Sequence, residues 1–205
     1  GDAEPLIFKR TWLSTATLAV SLGYFLVDLV MLRVHRPYFG GVEMVAHHIM
    51  GIASLLVGLW WGEAHGLTLG MLVTEFTTPF VNLRWMLEAA GMRDSSLYVS
   101  NGMGLLLSWT LIRILYFAEF FPFLYRTRHE LALVHRPTAA LCVAVPIVIF
   151  CMNLMWYHKI VRGAFKLLRG SNAKDGDAPK PGAARRKLIS ARTFGRLVQS
   201  LRQRV

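Results

Sequence analysis

The chain has 205 residues, of which 54% are hydrophobic and only 17% charged, with a positive mean hydropathy of +0.42. Soluble domains carry about 25% charged residues, and a soluble core has no use for so many separate apolar runs of membrane length. The net charge of +11 belongs to one end: 13 of the 23 Lys/Arg lie from Lys159 onward, against only Asp175 and Asp177, and the preceding residues balance.

Weakly charged stretches recur at residues 12–32, 44–62, 66–83, 97–118 and 138–157. A helix needs about 20 such residues to cross a bilayer. The expected fold is therefore an all-α polytopic transmembrane helix bundle, with about five spans in this chain and a basic C-terminal tail. The first span is expected over Trp12–Val34, ending at Arg33, Arg36 and Pro37. The short turn-rich connection VHRPYFGG makes the next span, Val42–Trp61, its antiparallel neighbour. Trp60 and Trp61 suit an interfacial belt. The third span is expected over Leu67–Glu88 and the fourth over Leu97–Phe121, closed by Pro122. After the polar connection RTRHELALVHRPT, the fifth takes Ala139–Tyr157, with a kink expected at Pro146.

Residues 10–165 thus read as a membrane domain, 166–187 as a flexible basic linker and 188–205 as a basic amphipathic helix. In the last segment Phe194, Leu197, Val198, Leu201 and Val205 share one stripe with arginines opposite. Such a tail suits anionic headgroups on a cytoplasmic or equivalent surface, or a protein partner. A frayed tail that orders only in context is the other reading. No aromatic or motif pattern supports nucleic acid. The same orientation puts Arg126, Arg128 and Arg136 on the opposite side, against the usual charge bias. Cys142 and Cys151, nine residues apart, read as packing residues. No signal peptide is read before the first span, and the absent initiator Met leads us to expect a processed or missing N-terminus.

Ionisable groups inside a span are costly and usually face a partner or a wet cavity. Asp28, His47, His48, Glu75, Asn82, Arg84, Arg113 and Asn153 form such a set. The hairpin between the first two spans should bring Asp28 within reach of His47 or His48, an imidazole–carboxylate unit fit for proton transfer or orientation. Arg113 needs a partner, and Glu75 is the first candidate. A pocket bordered by His47, His48, Asn82 and Asn153 should open between helices and run into an apolar tunnel. Interhelical packing explains the same residues without catalysis. Metal binding ranks last, because adjacent histidines on a helix point about 100° apart.

The segments GYFLVDLVML, VAHHIMG, TEFTTPFVNLRWML, LIRILYF and CMNLMWYHKIVRG occur in an order and spacing that resembles the TLC-domain family. That family includes the ceramide synthases and the translocating-chain-associated membrane proteins. The resemblance covers about residues 10–165 and is nearest to the TLC domain-containing protein 4 branch. It implies six or more membrane helices around a lipid cavity, so that N-terminal helices are expected to be missing here. It also implies residence in the endoplasmic reticulum, with mitochondrial or other organellar membranes known for some branches.

In the ceramide synthases the paired histidines serve acyl transfer from acyl-CoA to a sphingoid amine, which by resemblance falls on His47 and His48. Those enzymes continue with a His-Asp…Asp pattern, where this chain has Thr74-Glu75-Phe76-Thr77-Thr78-Pro79. Two readings follow. One is a lipid-binding or lipid-homeostasis protein without a cofactor, an accessory subunit of a larger membrane assembly included, whose cavity uses Glu75, Asn82, Arg84, Arg113, Asn153 and Trp156. The other is an acyltransferase with acyl-CoA as co-substrate, His47 and His48 as general base and Asp28 or Glu75 as orienting acid.

Overall fold

The computed structural model describes residues 5–34 and 41–173. The expected turn at 35–40, most of the expected linker and the whole amphipathic segment at 188–205 lie outside the described residues. Those described are helical with no strand among them. Among the described residues seven α-helices run in order: α1 (Trp12–Val34), α2 (Val42–Trp61), α3 (His65–Leu72), α4 (Thr78–Ala89), α5 (Ser96–Ser108), α6 (Tyr116–Arg126) and α7 (Arg136–Ala173). Four helical segments among the described residues are long and apolar enough to cross a membrane: Trp12–Leu32, Val42–Trp61, Ser96–Arg126 and Arg136–Phe165. Val20, Val27, Trp60 and Leu111 are largely exposed on them, as lipid-facing side chains are.

The stretch expected as a third span is not one helix. Val73–Thr77 is a 3-10 turn between α3 and α4. Pro79 has no N–H for the Glu75 carbonyl, and the Thr74 hydroxyl turns back onto the Met71 carbonyl at 2.7 Å. The fourth expected span is continuous but passes through a π-helical segment, Trp109–Leu115. It carries on past Pro122 to Arg126. Similarly α7 extends beyond both ends of the expected fifth span, contains Pro146, and reaches Ala173 within the stretch read as linker. Leu167, Leu168 and Lys166 are good helix formers, so composition placed that boundary too early.

The chain divides into two compact units. The first comprises the residues up to Glu75 and Leu111–Trp156. Its core gathers Leu67, Phe117, Phe120, Leu124, Val145 and Ile149, and a second cluster joins Leu18 and Phe25 of α1 to Leu55 of α2. At Gly51 a Cβ would come within 2.7 Å of the Phe25 ring, so the bare backbone is what admits that ring. Gly62 closes α2 in the left-handed conformation, φ 71°, with its N–H on the Gly58 carbonyl.

One end of this unit is stitched by polar groups. Glu63, buried just past α2, accepts from the His135 backbone N–H at 3.2 Å, its ring Nδ1 at 2.9 Å and the Thr138 hydroxyl at 3.0 Å. It thereby caps the start of α7 from a distant segment. Ile7 donates its N–H to Glu130 at 2.7 Å and accepts from the Ala64 N–H at 2.7 Å.

The second unit comprises Phe76–Thr110 and the chain from Tyr157 on. Ser95 caps α5 by accepting from the Tyr98 N–H. Asn101 of α5 donates to the Phe80 carbonyl of α4 at 2.9 Å. Thr110 donates to the Tyr157 hydroxyl of α7 at 3.1 Å.

Candidate functional site

The candidate site lies in the first unit, and its residues fall into two groups. His48 of α2 holds Asp28 of α1, with Nε2 2.6 Å from Oδ2, and its Nδ1 lies 2.8 Å from the Met44 carbonyl. A carbonyl only accepts, so Nδ1 carries a hydrogen. Facing Asp28, the other nitrogen then needs a second proton on the ring or one on the carboxyl. Either way the pair shares a proton across the α1–α2 contact, and His48 has no ring nitrogen left over. The Asp28 side chain is 40% exposed, and neither residue is among those lining the cavity described below.

His47 looks the other way around the helix. Its Nε2 is 3.4 Å from Glu75 Oε1, and the Trp156 ring meets it edge-on at 5.8 Å. The buried Nδ1 of His47 has no hydrogen-bond partner among the described residues. Glu75 is itself held by Arg113, whose Nη2 lies 3.2 Å from Oε1. Arg113 is 4% exposed and also donates from Nε to the Thr74 carbonyl at 3.0 Å and from Nη1 to Asn153 Oδ1 at 3.2 Å. The 3-10 turn makes the Thr74 carbonyl available, and the π-helical segment carries Arg113 to it. The result is a charge-compensated line, Asn153–Arg113–Glu75–His47, inside the unit.

This line ends at a cavity with about 740 Å³ of atom-free space, part of it open to the outside. His47, Thr74 and Glu75 form its polar end; Phe25, Leu55, Met71, Phe120, Cys142, Val145 and Ile149 line much of the rest. Along α2 it follows His47 to Gly58, a slot about 16 Å long at the helical rise.

The border differs from the one expected from sequence. His48 is occupied with Asp28, Asn153 is wholly buried against Arg113, and Asn82 is an exposed residue of the second unit. Arg84 also belongs to the second unit, where its guanidinium lies 4.2 Å from the centre of the Tyr98 ring. Sequence reasoning missed Glu63, His65 and His135. Glu63 and His135 sit in connections and His65 opens α3, and nothing in the sequence links position 63 to position 135.

His65 is buried, with Nδ1 2.8 Å from the Ser14 hydroxyl and Nε2 3.2 Å from the Gly58 carbonyl. Burial, reinforced by the Arg10 charge, holds it below its ordinary pKa despite the Gly58 hydrogen bond. Burial would raise the Glu63 carboxyl, but its bonds from His135 and Thr138 outweigh that and hold it below the ordinary value.

Apolar helices of membrane length around a buried charged line define an integral membrane protein. Comparison with known proteins places it more narrowly. The TLC domain matches residues 2–162, and the chain belongs to the TLC-domain family. TLC domain-containing protein 4-B of Danio rerio is 31% identical over 163 residues, covering 75% of this chain and 59% of that protein. TLC domain-containing protein 4 of Homo sapiens is 26% identical over 174 residues, covering 81% and 64%. Topoisomerase I damage affected protein 4 of Saccharomyces cerevisiae is 27% identical over 172 residues, covering 76% and 57%. The chain thus spans between 57% and 64% of the length of these three relatives. No solved structure matches it.

Proposed function

We propose that this chain binds an amphiphilic lipid in the cavity of its first unit and serves membrane lipid homeostasis as a binding protein. A headgroup hydroxyl or amine meets His47, and the hydrocarbon chain follows the apolar slot along α2. One observation carries this reading: the buried, unpartnered Nδ1 of His47 at the polar end of a largely apolar cavity. A buried polar atom costs about 1–3 kcal/mol unless something bonds it, and a lipid polar group fits that requirement. The proposed residence is the endoplasmic reticulum membrane, the family's usual one. Contact of the basic tail with anionic headgroups, or membership of a larger membrane assembly, belongs to the same reading.

A second reading is favoured by the Glu75–His47 contact. A carboxylate on Nε2 with Nδ1 left over is how an imidazole base is oriented. In it His47, rather than His48, relays the proton, Glu75 orients, and acyl-CoA is co-substrate. The amine nitrogen bonds to the thioester carbonyl carbon, the C–S bond breaks, and the thiol leaves with the amine's proton.

One experiment separates the two. The purified full chain is incubated with single-chain amine and alcohol lipids, with and without acyl-CoA; bound lipid is read by native mass spectrometry and free thiol by colorimetry. The binding reading expects a retained lipid whose occupancy falls about fivefold or more in His47→Ala, with no thiol released. Thiol release that vanishes in His47→Ala would replace it with the acyltransferase. If wild type and variant retain lipid equally and neither releases thiol, both readings fail.

A further inference from the structure

The second unit has a cavity of its own, with about 730 Å³ of atom-free space, part of it open. Arg84 of α4, Gly102 and Met103 of α5, and Lys159, Ile160 and Gly163 of α7 are among the residues lining it. The only charged side chains among its described lining residues are Arg84 and Lys159; none is Asp or Glu. The nearby acid Glu88 is paired with Arg93.

Each wall has a reason to be where it is. Arg84 stands over the Tyr98 ring, a contact that steadies the guanidinium and leaves its charge intact. At Gly102 a Cβ would come within 2.9 Å of Arg84 Nη1, so the missing side chain is the room the guanidinium occupies. At Gly163 a Cβ would meet nothing within 4 Å, so α7 leaves its side of the cavity open. The depth is also informative. Arg84 is just over a turn from the end of α4, and Gly102 is in the second turn of α5. Lys159 and Gly163 lie where the apolar run of α7 gives way to basic residues. Arg84 and Gly102 thus stand near helix ends, and Lys159 and Gly163 fall in the last turns of the membrane-length segment of α7, which ends at Phe165.

Two cations above an apolar wall of Met103, Leu105 and Ile160 match a molecule that is anionic at one end and hydrocarbon at the other. Arginine supplies a fork suited to phosphate oxygens and lysine a point charge beside it. We propose that this cavity is a binding site for an anionic glycerophospholipid, with Arg84 and Lys159 on the phosphate and the apolar wall against the first carbons of one acyl chain. The site is independent of the first unit's cavity.

The test uses the purified full chain in neutral detergent, titrated with short-chain phosphatidic acid, phosphatidylglycerol, phosphatidylcholine and inorganic phosphate, with occupancy read by native mass spectrometry. Wild type should prefer the two anionic lipids over phosphatidylcholine by about tenfold or more. Arg84→Gln and Lys159→Gln should each weaken anionic-lipid binding about fivefold, the size expected for one basic residue near a charged surface. Gly163→Leu is the deciding variant. It adds bulk to the α7 wall of the cavity without altering charge, its Cβ has open space, and leucine favours helix over glycine, so a thermal melt matching wild type is expected to show it folded. It should abolish the anionic preference while the basic tail stays intact. Unchanged binding in Gly163→Leu would assign the lipid to the tail and overturn the proposal. Equal affinity for phosphatidylcholine, or saturable binding of inorganic phosphate as tight as that of the lipids, would overturn it too.

Discussion

His48 and His47 are neighbours in sequence with opposite assignments. The helix turns them about 100° apart, which sends one to the α1–α2 contact and the other to the cavity. His48 has Met44 on one ring nitrogen and Asp28 on the other, so its part is to clamp α1 to α2. Asp28→Ala should therefore destabilise the protein by about 1 kcal/mol, the low end for a charged pair because the carboxylate is partly exposed. Asp28→Asn keeps an acceptor for a ring N–H and should lose less. Chemical denaturation in detergent measures both. A loss in Asp28→Asn as large as in Asp28→Ala would show that the shared proton, not the hydrogen bond, holds the pair.

Two irregular elements, not a regular helix, make the buried line possible. The 3-10 turn at Val73–Thr77 offers the Thr74 carbonyl and the Glu75 side chain together, and the π-helical segment presents Arg113 to both. Removing one partner leaves the other without its counter-charge in a largely buried setting. Arg113→Met should thus cost about 3–5 kcal/mol. Adding Glu75→Gln removes the stranded charge, and the double variant should recover about 1–3 kcal/mol relative to the sum of the single changes. Strictly additive losses in denaturation would mean that the two side chains do not interact. Hydropathy made the α1–α2 hairpin and the pairing of Arg113 with Glu75 legible, because a charge in hydrocarbon demands a partner. The helix break was not read, although Thr74, Thr77, Thr78 and Pro79 spell it out: a long apolar run outweighed four weak local signals. The π-helical segment has no comparable signature in LSWTLIRILYF.

At the scale of the whole molecule, apolar run length conveyed the membrane class and the motifs conveyed the family, since both are written locally. The cavity border was not, because it depends on which side of each helix meets which neighbour; Asn82 shows this, exposed in a different unit from His47. The polar end of the first unit is likewise non-local, and it gives the molecule a pH dependence. His65 is held below its ordinary value of 6.5 and Glu63 below 4.5. For both groups the unfolded chain binds the proton more readily than the folded one. Their contributions are therefore fully present above those ordinary values and are lost as pH falls through the lower folded ones. Protonating His65 places a charge in a buried setting under the influence of the Arg10 charge. Protonating Glu63 removes the acceptor that caps α7 and ties it to the α2–α3 corner. These two groups should leave the unfolding temperature unchanged between pH 8 and about 6.5 and then lower it in two stages, the first below 6.5 from His65 and the second below 4.5 from Glu63. Glu63→Gln should lower the plateau by several degrees and erase only the second stage, because glutamine retains one acceptor and has no proton to take up. Circular dichroism melts across that range measure both curves, and a variant that still shows the second stage would move its origin away from Glu63.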